Sequence, residues 1–512
     1  MRLCEDGSAA CRDGLSFHCL LLLLLATRRL RPWPVLSSPQ DLLPEGFGVR
    51  LDPEARRSGD GRTLRGGSPL RLLRLSEHAA NLLAALEAGA PAASRPARQL
   101  ARRLCEVGLA HPAPPPGGPS ASEATCVVPV RDDPEGLAAL LASLASNPPS
   151  PTGATVVEDG SRHPAAVASA ARRGGARLIQ RAAARGPAAA RNAGWQATDA
   201  PILVFLDADV EVTPSWLAPL LAHFADPSLA AVAPRVRAPA SATDLLGRFE
   251  REASPLDMGA LPSLVGPRRR VPYVPSAALL VRRAALAELG GFDERLRLGE
   301  DVDFVWRAVA AGWTVRYEPS VEVIHRNRPS WPRLASQRYR YGTSAAPLAA
   351  RHPGDAVPLE IAPWSLAAWL AVALAGRRGA STAAVLAARR AGKLRQSLAV
   401  SGTSPLAGTA QLVMRHHLAS GGRLAAALRR TWLPLLLAAT RWHRGRRLAV
   451  AALILEPLTA WAARRPSVGP LRWIVATLLA DAAYCAGVWR GAGAARSAAA
   501  LRPRLSRTPS EG

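Results

Sequence analysis

An unbroken apolar run, Ile202 to Leu206, lies near the middle of the 512-residue chain. Its β-branched and aromatic side chains are typical of a strand that is buried on both faces of a parallel sheet. The run ends at Asp207 and Asp209, which are separated by a single residue. Carboxylates just past a central strand lie where open α/β sheets bind ligands, and two of them can hold a hard divalent cation. The pattern alone also fits a solvated acidic loop.

Strand-like and helix-like segments alternate on both sides of this run, from residue 123 to residue 330. Apolar clusters bounded by turn residues predict the strands Thr125–Val130, Ala154–Val157, Arg177–Gln180, Leu229–Pro234, Ala278–Val281 and Val321–Ile324. Helical patterns follow Asp132 or Asp133, begin at Gly186, and cover residues 215–224 and 300–311. This alternation predicts an α/β domain with a mostly parallel, doubly wound sheet.

A small module is predicted before this domain, over residues 41–112. Paired glycines near residues 60 and 66 indicate tight turns between short strands, and Ser76 begins an amphipathic helix. A second helix, Pro96–Val107, completes an α+β unit of winged-helix type. Residues 113–122 are rich in Pro, Gly and Ser, which predicts a linker and a domain boundary. Residues 1–40 are expected to be a disordered N-terminal extension.

The C-terminal part of the chain holds most of the positive charge. The whole chain has 65 Lys and Arg against 39 Asp and Glu, and residues 331–512 have 26 against five. The arginines separate apolar blocks, such as residues 363–376, that are too short or too interrupted for the roughly 20 residues of a bilayer span. We expect a helical, basic region over 331–495 that attaches to an anionic membrane surface, with a buried helical domain as the alternative. A disordered tail is expected over 496–512.

Composition also excludes some classes of protein. The basic residues are accompanied by no zinc-finger, recognition-helix or stacking-aromatic pattern, so nucleic acid is not an expected partner. Six cysteines show neither a CxxC pair nor metal-ligand spacing, which indicates a reducing compartment without a disulfide framework. The short apolar run near the N-terminus has its arginines behind it rather than before it, unlike a secretory signal. The predicted location is the cytoplasm, at the inner face of the cell membrane.

Six short motifs occur in a fixed order in the predicted α/β domain: TCVVPVRD, VVEDGS, RGPAAARNAG, FLDAD, GGFDE and GEDVDFVWR. Together they resemble the family-two inverting glycosyltransferases, which have the GT-A fold and use nucleotide-sugar donors. The resemblance implies that the nucleotide sugar is bound by Pro129, Arg131, Asp132, Asp159, Arg191, Asn192 and Asp207. It further implies that Asp207 and Asp209 hold Mg²⁺ or Mn²⁺, with His325 as a further ligand, and that Asp301 or Glu300 is the catalytic base.

Elementary chemistry agrees with those roles. An attacking hydroxyl has a pKa far above neutral, so it needs a positioned carboxylate to accept its proton as the new bond forms. The departing nucleoside diphosphate develops negative charge, which a divalent cation neutralises. A base on one side of the sugar and a cation on the other produce an in-line displacement with inversion.

The resemblance extends beyond the central domain to the glycosyltransferases of the mycofactocin system, through segments such as LPEGFGVRLDP, GLAHP and DAAYCAGVWRG. It implies transfer of glucose, from UDP-glucose, to a peptide-derived redox cofactor precursor, and an N-terminal module similar to peptide-binding modules. Two alternatives remain: a membrane-associated transferase acting on a lipid or polysaccharide, and a non-catalytic binding protein on a transferase scaffold. The box at residues 337–341 lacks the tryptophan of processive synthases, which disfavours processivity, and the four expected acids of the site are all present.

Overall fold

The structure, a computed structural model, describes residues 42–59, 61–326, 330–399 and 406–506. The extension predicted over residues 1–40 and the last six residues of the predicted tail lie outside these ranges. Within them the chain forms a mixed, mostly parallel α/β sheet domain, preceded by a small α+β module and followed by a helical C-terminal region. The predicted fold class is confirmed.

The N-terminal module contains two small sheets and two helices. Strands β1 (Gly48–Leu51) and β5 (Ala110–Ala113) pair antiparallel, as do the consecutive strands β2 (Arg56–Arg57), β3 (Thr63–Gly66) and β4 (Arg71–Arg74). The helices are α1 (Glu77–Glu87) and α2 (Arg95–Glu106), and the Ser76 hydroxyl accepts a hydrogen bond from the Ala79 N–H at the start of α1. Apolar side chains from both helices and from β3 fill a common core.

The module is docked onto the α/β domain through buried polar contacts. Arg102 of α2 donates to both carboxylate oxygens of Asp226, at 2.7 and 3.0 Å, and both side chains are at most 4% exposed. Strand β5 also crosses the predicted boundary at residue 112 and includes Ala113. The segment that the sequence predicts as a linker therefore joins two parts that are packed together, because charged pairs distant in sequence meet at their interface.

The central sheet has nine strands in the order β10-β14-β11-β13-β9-β6-β7-β8, with β12 paired to β14. The strands are β6 (Ala124–Val130), β7 (Ala154–Asp159), β8 (Arg177–Arg181), β9 (Ile202–Leu206), β10 (Val210–Val212), β11 (Leu229–Arg237), β12 (Ser263–Leu264), β13 (Ala278–Arg282) and β14 (Thr314–His325). Strands β8, β7, β6 and β9 are parallel, whereas β13 runs antiparallel to both of its neighbours.

Helices cover both faces of this sheet. They are α3 (Pro134–Ser146), α4 (Pro164–Arg173), α5 (Pro187–Gln196), α6 (Leu217–Ala222), α7 (Leu245–Ala253), α8 (Arg283–Leu289) and α9 (Glu300–Ala310). All five residues of β9 are buried: Val204 and Leu206 join one core, and Leu203 and Phe205 join the core on the other face. The strand is thus buried on both faces, as its sequence predicts.

The C-terminal region is a set of helices packed on one another and on the sheet domain. They are α10 (Trp331–Thr343), α11 (Ala345–Arg351), α12 (Pro363–Ala375), α13 (Arg377–Ala399), α14 (Leu406–Arg430), α15 (Leu433–Ala439), α16 (His443–Val450), a π-helical turn (Ala451–Leu455), α17 (Glu456–Arg464) and α18 (Pro470–Ala494). Strand β16 (Arg504–Leu505) pairs with β15 (Glu360–Ile361). The predicted disorder from residue 496 is therefore wrong for residues 496–506, since backbone pairing holds this segment in place.

Within the described residues, one helix, α18, is long and apolar enough by length and composition to cross a membrane. It packs against α10 so closely that a Cβ added at Gly342 would lie 2.1 Å from the Tyr484 carbonyl oxygen. Buried residues such as Trp473, Ala480 and Val488 line its contact face. In this structure α18 is a packing helix of the C-terminal region.

Candidate active site

A cleft of about 700 Å³ lies at the carboxyl ends of β6, β7 and β9. Pro129, Asp159 and Asp207 follow or end these three strands and line the cleft. Parallel strands bring such residues to one edge of the sheet, which is the usual ligand site of an open α/β fold. The beginning of α9 closes the cleft beside them, with Glu300 and Asp301 in its lining.

Arg191 on α5 joins two of these carboxylates. Its Nη2 donates to Asp207 Oδ1 and its Nη1 to Glu300 Oε1, both at 2.7 Å. The arginine side chain is only 3% exposed, and that of Glu300 is 7% exposed, whereas Asp207 is 32% exposed toward the cleft. A guanidinium presents its donors in a rigid plane, so one arginine can set the spacing of two acids. The two sides of the cleft that carry Glu300 and Asp207 are thereby held at a defined distance.

Glu300 and Asp301 begin α9, directly after Gly299, whose backbone is in the left-handed region at φ 82°. Burial, reinforced by the neighbouring Asp301 carboxylate, raises the pKa of Glu300 to about 7. Burial also raises the pKa of Asp301, against the opposing effects of Arg191 and of two backbone N–H donors. Two adjacent acids with raised pKa values in a cleft are typical of groups that exchange protons at neutral pH.

The two acids differ in their contacts. Asp301 accepts hydrogen bonds from the backbone N–H groups of Ser276, at 3.2 Å, and Val302, at 2.8 Å. Glu300 is engaged by the Arg191 side chain instead. Asp301 is thus oriented by main-chain donors, while Glu300 is held in an ion pair with Arg191.

The first turn of helix α9 is held in place by Asp303, whose side chain is fully buried. Asp303 accepts from Arg307 at 2.7 Å and from Arg351 at 2.7 Å, and His352 Nε2 lies 2.9 Å from it. Burial opposes the ionisation of Asp303, but these three partners outweigh it and lower its pKa. The network ties α9 to α11 and so fixes the end of the helix that carries the two acids.

Asp159 and Arg131 line the side of the cleft predicted to hold the nucleotide. Asp159 accepts from the backbone N–H groups of Arg185, at 3.0 Å, and Gly186, at 2.8 Å. It therefore shapes the loop before α5 as well as facing the cleft. Glu158 points elsewhere and accepts from the Ser161 N–H.

Two residues predicted to border the nucleotide lie outside the cleft lining. Asn192 is buried and exchanges hydrogen bonds with the backbone of Phe292, at 2.8 and 3.0 Å. It follows Arg191 on α5, so the helix turns its side chain away from the cleft. Asp132 accepts from the Arg162 N–H at 2.7 Å, and its own N–H donates to the Ser161 hydroxyl, which ties the loop after β6 to the loop after β7.

The predicted metal ligands divide into two groups. Asp207 is bound by Arg191, whereas His325 Nε2 lies 3.2 Å from Asp209 Oδ1 where β10 and β14 pair. In the part of the chain that the structure describes, no three His, Cys, Asp or Glu side chains form a metal-binding cluster. Carboxylates nevertheless fit Mg²⁺ or Mn²⁺, because such ions are bound through one or two acids together with substrate phosphates. An ion bound together with substrate phosphates would find Asp207 in the cleft lining, whereas Asp209 and His325 lie outside that lining.

The C-terminal region supplies a wall of the cleft that the sequence analysis did not predict. Its residues include Arg338 and Tyr341 of α10, Arg430 of α14 and Tyr484 of α18, and Tyr273 of the sheet domain lines the same cleft. The Arg430 guanidinium lies 4.6 Å from the centre of the Tyr484 ring. The only sequence signal for this wall was the resemblance of residues 337–341 to a synthase box, and Gln337 indeed donates to the Tyr341 hydroxyl at 3.1 Å.

The chain is similar in sequence to known proteins. Residues 125–290 match the family described as glycosyl transferase family 2. The chain is 37% identical over 478 residues to the pre-mycofactocin glycosyltransferase of Mycobacterium tuberculosis, which covers 90% of this chain and 98% of the relative. A shorter match, 46% identical over 63 residues, covers 12% of this chain and 20% of the N-acetylglucosaminyl-diphospho-decaprenol L-rhamnosyltransferase of the same species.

Among solved structures, the mannosyltransferase PcManGT from Pyrobaculum calidifontis, in complex with GDP-Man and Mn²⁺, is similar with a TM-score of 0.37 and 20% identity. The similarity covers 60% of this chain and 88% of that protein. GalNAc-T7 with UDP, GalNAc and Mn²⁺ is similar over 40% of this chain and 43% of that protein, with a TM-score of 0.32 and 20% identity.

Proposed function

This chain belongs to the pre-mycofactocin glycosyltransferase family, and from that premise we propose that it transfers a hexose to a peptide-derived redox cofactor precursor. The proposed donor is a nucleotide sugar, UDP-glucose, and the proposed outcome is inversion at the sugar carbon. The observation that carries the proposal is the convergence of Asp207, Arg191, Glu300 and Asp301 in one cleft at the carboxyl edge of the sheet. This grouping also disfavours a non-catalytic scaffold, which has no need of paired acids with raised pKa values.

In the proposed reaction Asp301 is the general base. Its carboxylate accepts the proton of the acceptor hydroxyl as that oxygen attacks the sugar carbon and the bond to the diphosphate breaks. The backbone donors from Ser276 and Val302 orient the carboxylate without neutralising it. The raised pKa of Asp301 supports this role, since a base is most effective when its pKa lies near the working pH.

Glu300 has a different proposed role. Its ion pair with Arg191 at 2.7 Å, and the second bond from Arg191 to Asp207, support a positioning function. Arg191 also places a permanent positive charge beside the end of the cleft where the diphosphate departs. Charge that develops on a leaving group is stabilised by such a fixed cation more effectively in a buried site than in water.

The proposed divalent cation would be held by Asp209 and Asp207, with His325 as a further ligand. When bound, it supplies positive charge that neutralises the leaving diphosphate. Pro129, Arg131 and Asp159 line the adjoining part of the cleft and are the proposed contacts of the nucleoside. The tyrosine-rich wall from the C-terminal region faces the other part and is the proposed acceptor side.

We further propose that the protein works at the cytoplasmic face of an anionic membrane. Most of the exposed large apolar side chains lie between residues 370 and 489, including Leu435, Leu437 and Trp442. Arginines such as Arg441 and Arg444 lie next to them in sequence. Apolar side chains bordered by arginines suit binding in the headgroup region of a bilayer.

The proposed function is tested by incubating the purified protein with pre-mycofactocin, Mn²⁺ and, in turn, UDP-glucose and other nucleotide sugars. We expect a product whose mass rises by one hexose with UDP-glucose, formed with inverted configuration. The Asp301→Asn variant should lose about 10²- to 10⁴-fold in turnover, as is usual when a general base is removed, and should keep its nucleotide affinity. No transfer from any nucleotide sugar by the folded wild-type protein would refute the proposal, and a larger effect of Glu300→Gln would exchange the two roles.

A further inference from the structure

Three consecutive arginines, Arg268, Arg269 and Arg270, extend from the sheet domain toward both of its neighbours. Arg268 Nη1 lies 3.6 Å from Asp355 Oδ1 in the C-terminal region. Arg269 Nη1 donates to the Glu106 carbonyl oxygen of the N-terminal module at 3.1 Å. The segment that follows them, residues 271–276, forms part of the active-site wall. The arginines therefore connect a segment of the active-site wall to the N-terminal module and to the C-terminal region.

The strongest of these connections joins Arg270 to the module. Its two terminal nitrogens donate to the two oxygens of Asp52 at 2.7 and 3.0 Å, and Asp52 is only 2% exposed. His111 Nε2 lies 2.8 Å from the same carboxylate. Burial opposes the ionisation of Asp52, but hydrogen bonds from His111 and Arg270 outweigh it and hold its pKa well below the usual range. A buried bidentate pair of this kind allows little movement of either partner.

The residues after Arg270 connect this pair to Asp301, the proposed base. Val271 and Val274 are buried in the core of the sheet domain, and Trp306 donates from its indole N–H to the Pro272 carbonyl oxygen at 2.8 Å. The segment ends at Ser276, whose backbone N–H donates to Asp301 Oδ2 at 3.2 Å. Five residues, 271–275, thus separate a module contact from a hydrogen bond to the proposed base.

We propose that Asp52 and Arg270 are positioning residues, through which the docked N-terminal module holds segment 271–276 and so orients Asp301 for catalysis. The proposal rests on the proposed role of Asp301 as base. It gives the module a part in the transfer step itself, in addition to any binding of the acceptor. Misplacement of a catalytic group by about 1 Å can lower a rate 10²-fold, so a contact remote from the chemistry can have a large effect.

A purely structural role for the Asp52 and Arg270 pair makes a different prediction. In that case its loss would lower the thermal midpoint of the module, but the folded fraction would keep the wild-type turnover and pH dependence. Glu54 offers a matched control, because it accepts a hydrogen bond from the same Arg270 at 2.8 Å but has a side chain that is 66% exposed.

The first test compares Asp52→Asn with Glu54→Gln in the full-length protein. For Asp52→Asn we expect turnover to fall by about 10- to 100-fold. We also expect the acidic limb of its pH–rate profile to move to higher pH. A weaker hydrogen bond from Ser276 stabilises the Asp301 carboxylate less, which raises the pKa of Asp301. Glu54→Gln should match the wild type in both. Arg270→Lys keeps the charge but loses the bidentate geometry, so it should show the same two changes as Asp52→Asn. It replaces Asp52→Asn in this test if Asp52→Asn folds poorly.

The second test needs no activity. Hydrogen–deuterium exchange of the folded variants should show faster exchange over residues 271–276 in Asp52→Asn than in Glu54→Gln or the wild type. Unchanged exchange and an unchanged pH limb in a folded Asp52→Asn protein would overturn the positioning role. Faster exchange in a protein whose wild-type form transfers no sugar would instead support the coupling and reject the proposed function, so the two failures are distinguishable.

Discussion

Arg102 and Asp226 form a bidentate ion pair, at 2.7 and 3.0 Å, that is buried between the N-terminal module and the sheet domain. Asp226 also receives bonds from the Ser228 N–H and hydroxyl, at 3.0 and 2.9 Å. Burial opposes the ionisation of Asp226, but these partners, Arg102 first among them, lower its pKa. The pair shows that the module packs against the sheet domain, although a Pro- and Gly-rich segment joins the two.

Loss of this pair should destabilise the protein strongly. Arg102→Met leaves the Asp226 carboxylate buried without its charged partner, which typically costs about 3–5 kcal/mol. The neighbouring Arg103, whose pair with Glu106 is 24% and 39% exposed, is the control, because partly exposed pairs contribute about 1 kcal/mol or less. Chemical denaturation measures both. Since the lowered pKa of Asp226 stabilises the fold only while the group is ionised, the wild-type contribution should disappear as pH falls below the range of an ordinary carboxyl. Equal losses for the two variants would contradict the prediction.

Removal of Arg191 should abolish most transfer and lower stability. The Arg191→Met variant leaves two carboxylates, Glu300 and Asp207, without the guanidinium that joins them. Arg191→Lys should not restore activity, because an ammonium cannot reproduce the two parallel donors. The matched control is Arg185→Met in the loop before α5, whose side chain is 66% exposed and paired to Glu294. Steady-state kinetics and a melting curve for each variant test this, and wild-type turnover in Arg191→Lys would refute it.

The pH dependence of transfer should have an acidic limb near neutrality. Burial raises the pKa of Glu300 to about 7, and Glu300 must be ionised to pair with Arg191. Burial also raises the pKa of Asp301, and a base acts only when ionised. Turnover should therefore fall as pH drops through the raised values and not near pH 4, where an exposed carboxyl titrates. The raised pKa values also affect stability. Burial favours the protonated carboxyl, so the free energy of unfolding should decrease as pH rises from about 4.5 toward 7. A flat rate between pH 5 and 8 would contradict the assignment.

Asp209→Asn should leave the fold intact and abolish most metal-supported transfer. The side chain lies at the end of the sheet beside His325, 3.2 Å away, and is not part of the hydrophobic core. The control is Glu211, which lies two residues after Asp209, in β10. Glu211→Gln should keep wild-type activity. Direct titration of Mn²⁺ in the presence of UDP gives a readout independent of turnover. Full activity in excess chelator, or unchanged Mn²⁺ affinity in Asp209→Asn, would remove the proposed metal site.

Attachment to membranes should depend on salt and on exposed apolar side chains of the C-terminal region. Binding to vesicles with anionic lipid should weaken as ionic strength rises, because salt screens the attraction between the arginines and the anionic headgroups. Trp442→Ser removes a side chain that is 65% exposed and should weaken binding. Leu70→Ser, which removes a 48% exposed side chain of the N-terminal module, should not. Vesicle co-sedimentation tests both variants, and recovery of the wild type in the supernatant at low salt would exclude membrane attachment.

The sequence by itself determined the elements of the catalytic domain and the edge of the sheet at which its acids lie. The run at Ile202–Leu206 is a strand buried on both faces, and Ser76 and Asp133 cap the helices that follow them. These features follow from local chemistry, because hydrophobic period, capping oxygens and turn residues act over a few neighbouring positions. The ordered motifs also identified the family correctly.

Only the tertiary structure decided which side chains share a surface. Arg191 and Asn192 are neighbours on α5, but their side chains lie in different surroundings. Arg191 joins two acids in the cleft, whereas Asn192 binds the Phe292 backbone outside the cleft lining. The wall containing Tyr484 and the docking pair Arg102–Asp226 also depend on contacts between segments distant in sequence. Residue type and spacing do not specify such contacts, since they arise from the packing of whole elements. The direction of a side chain and the burial of a charge are therefore properties of the assembled fold.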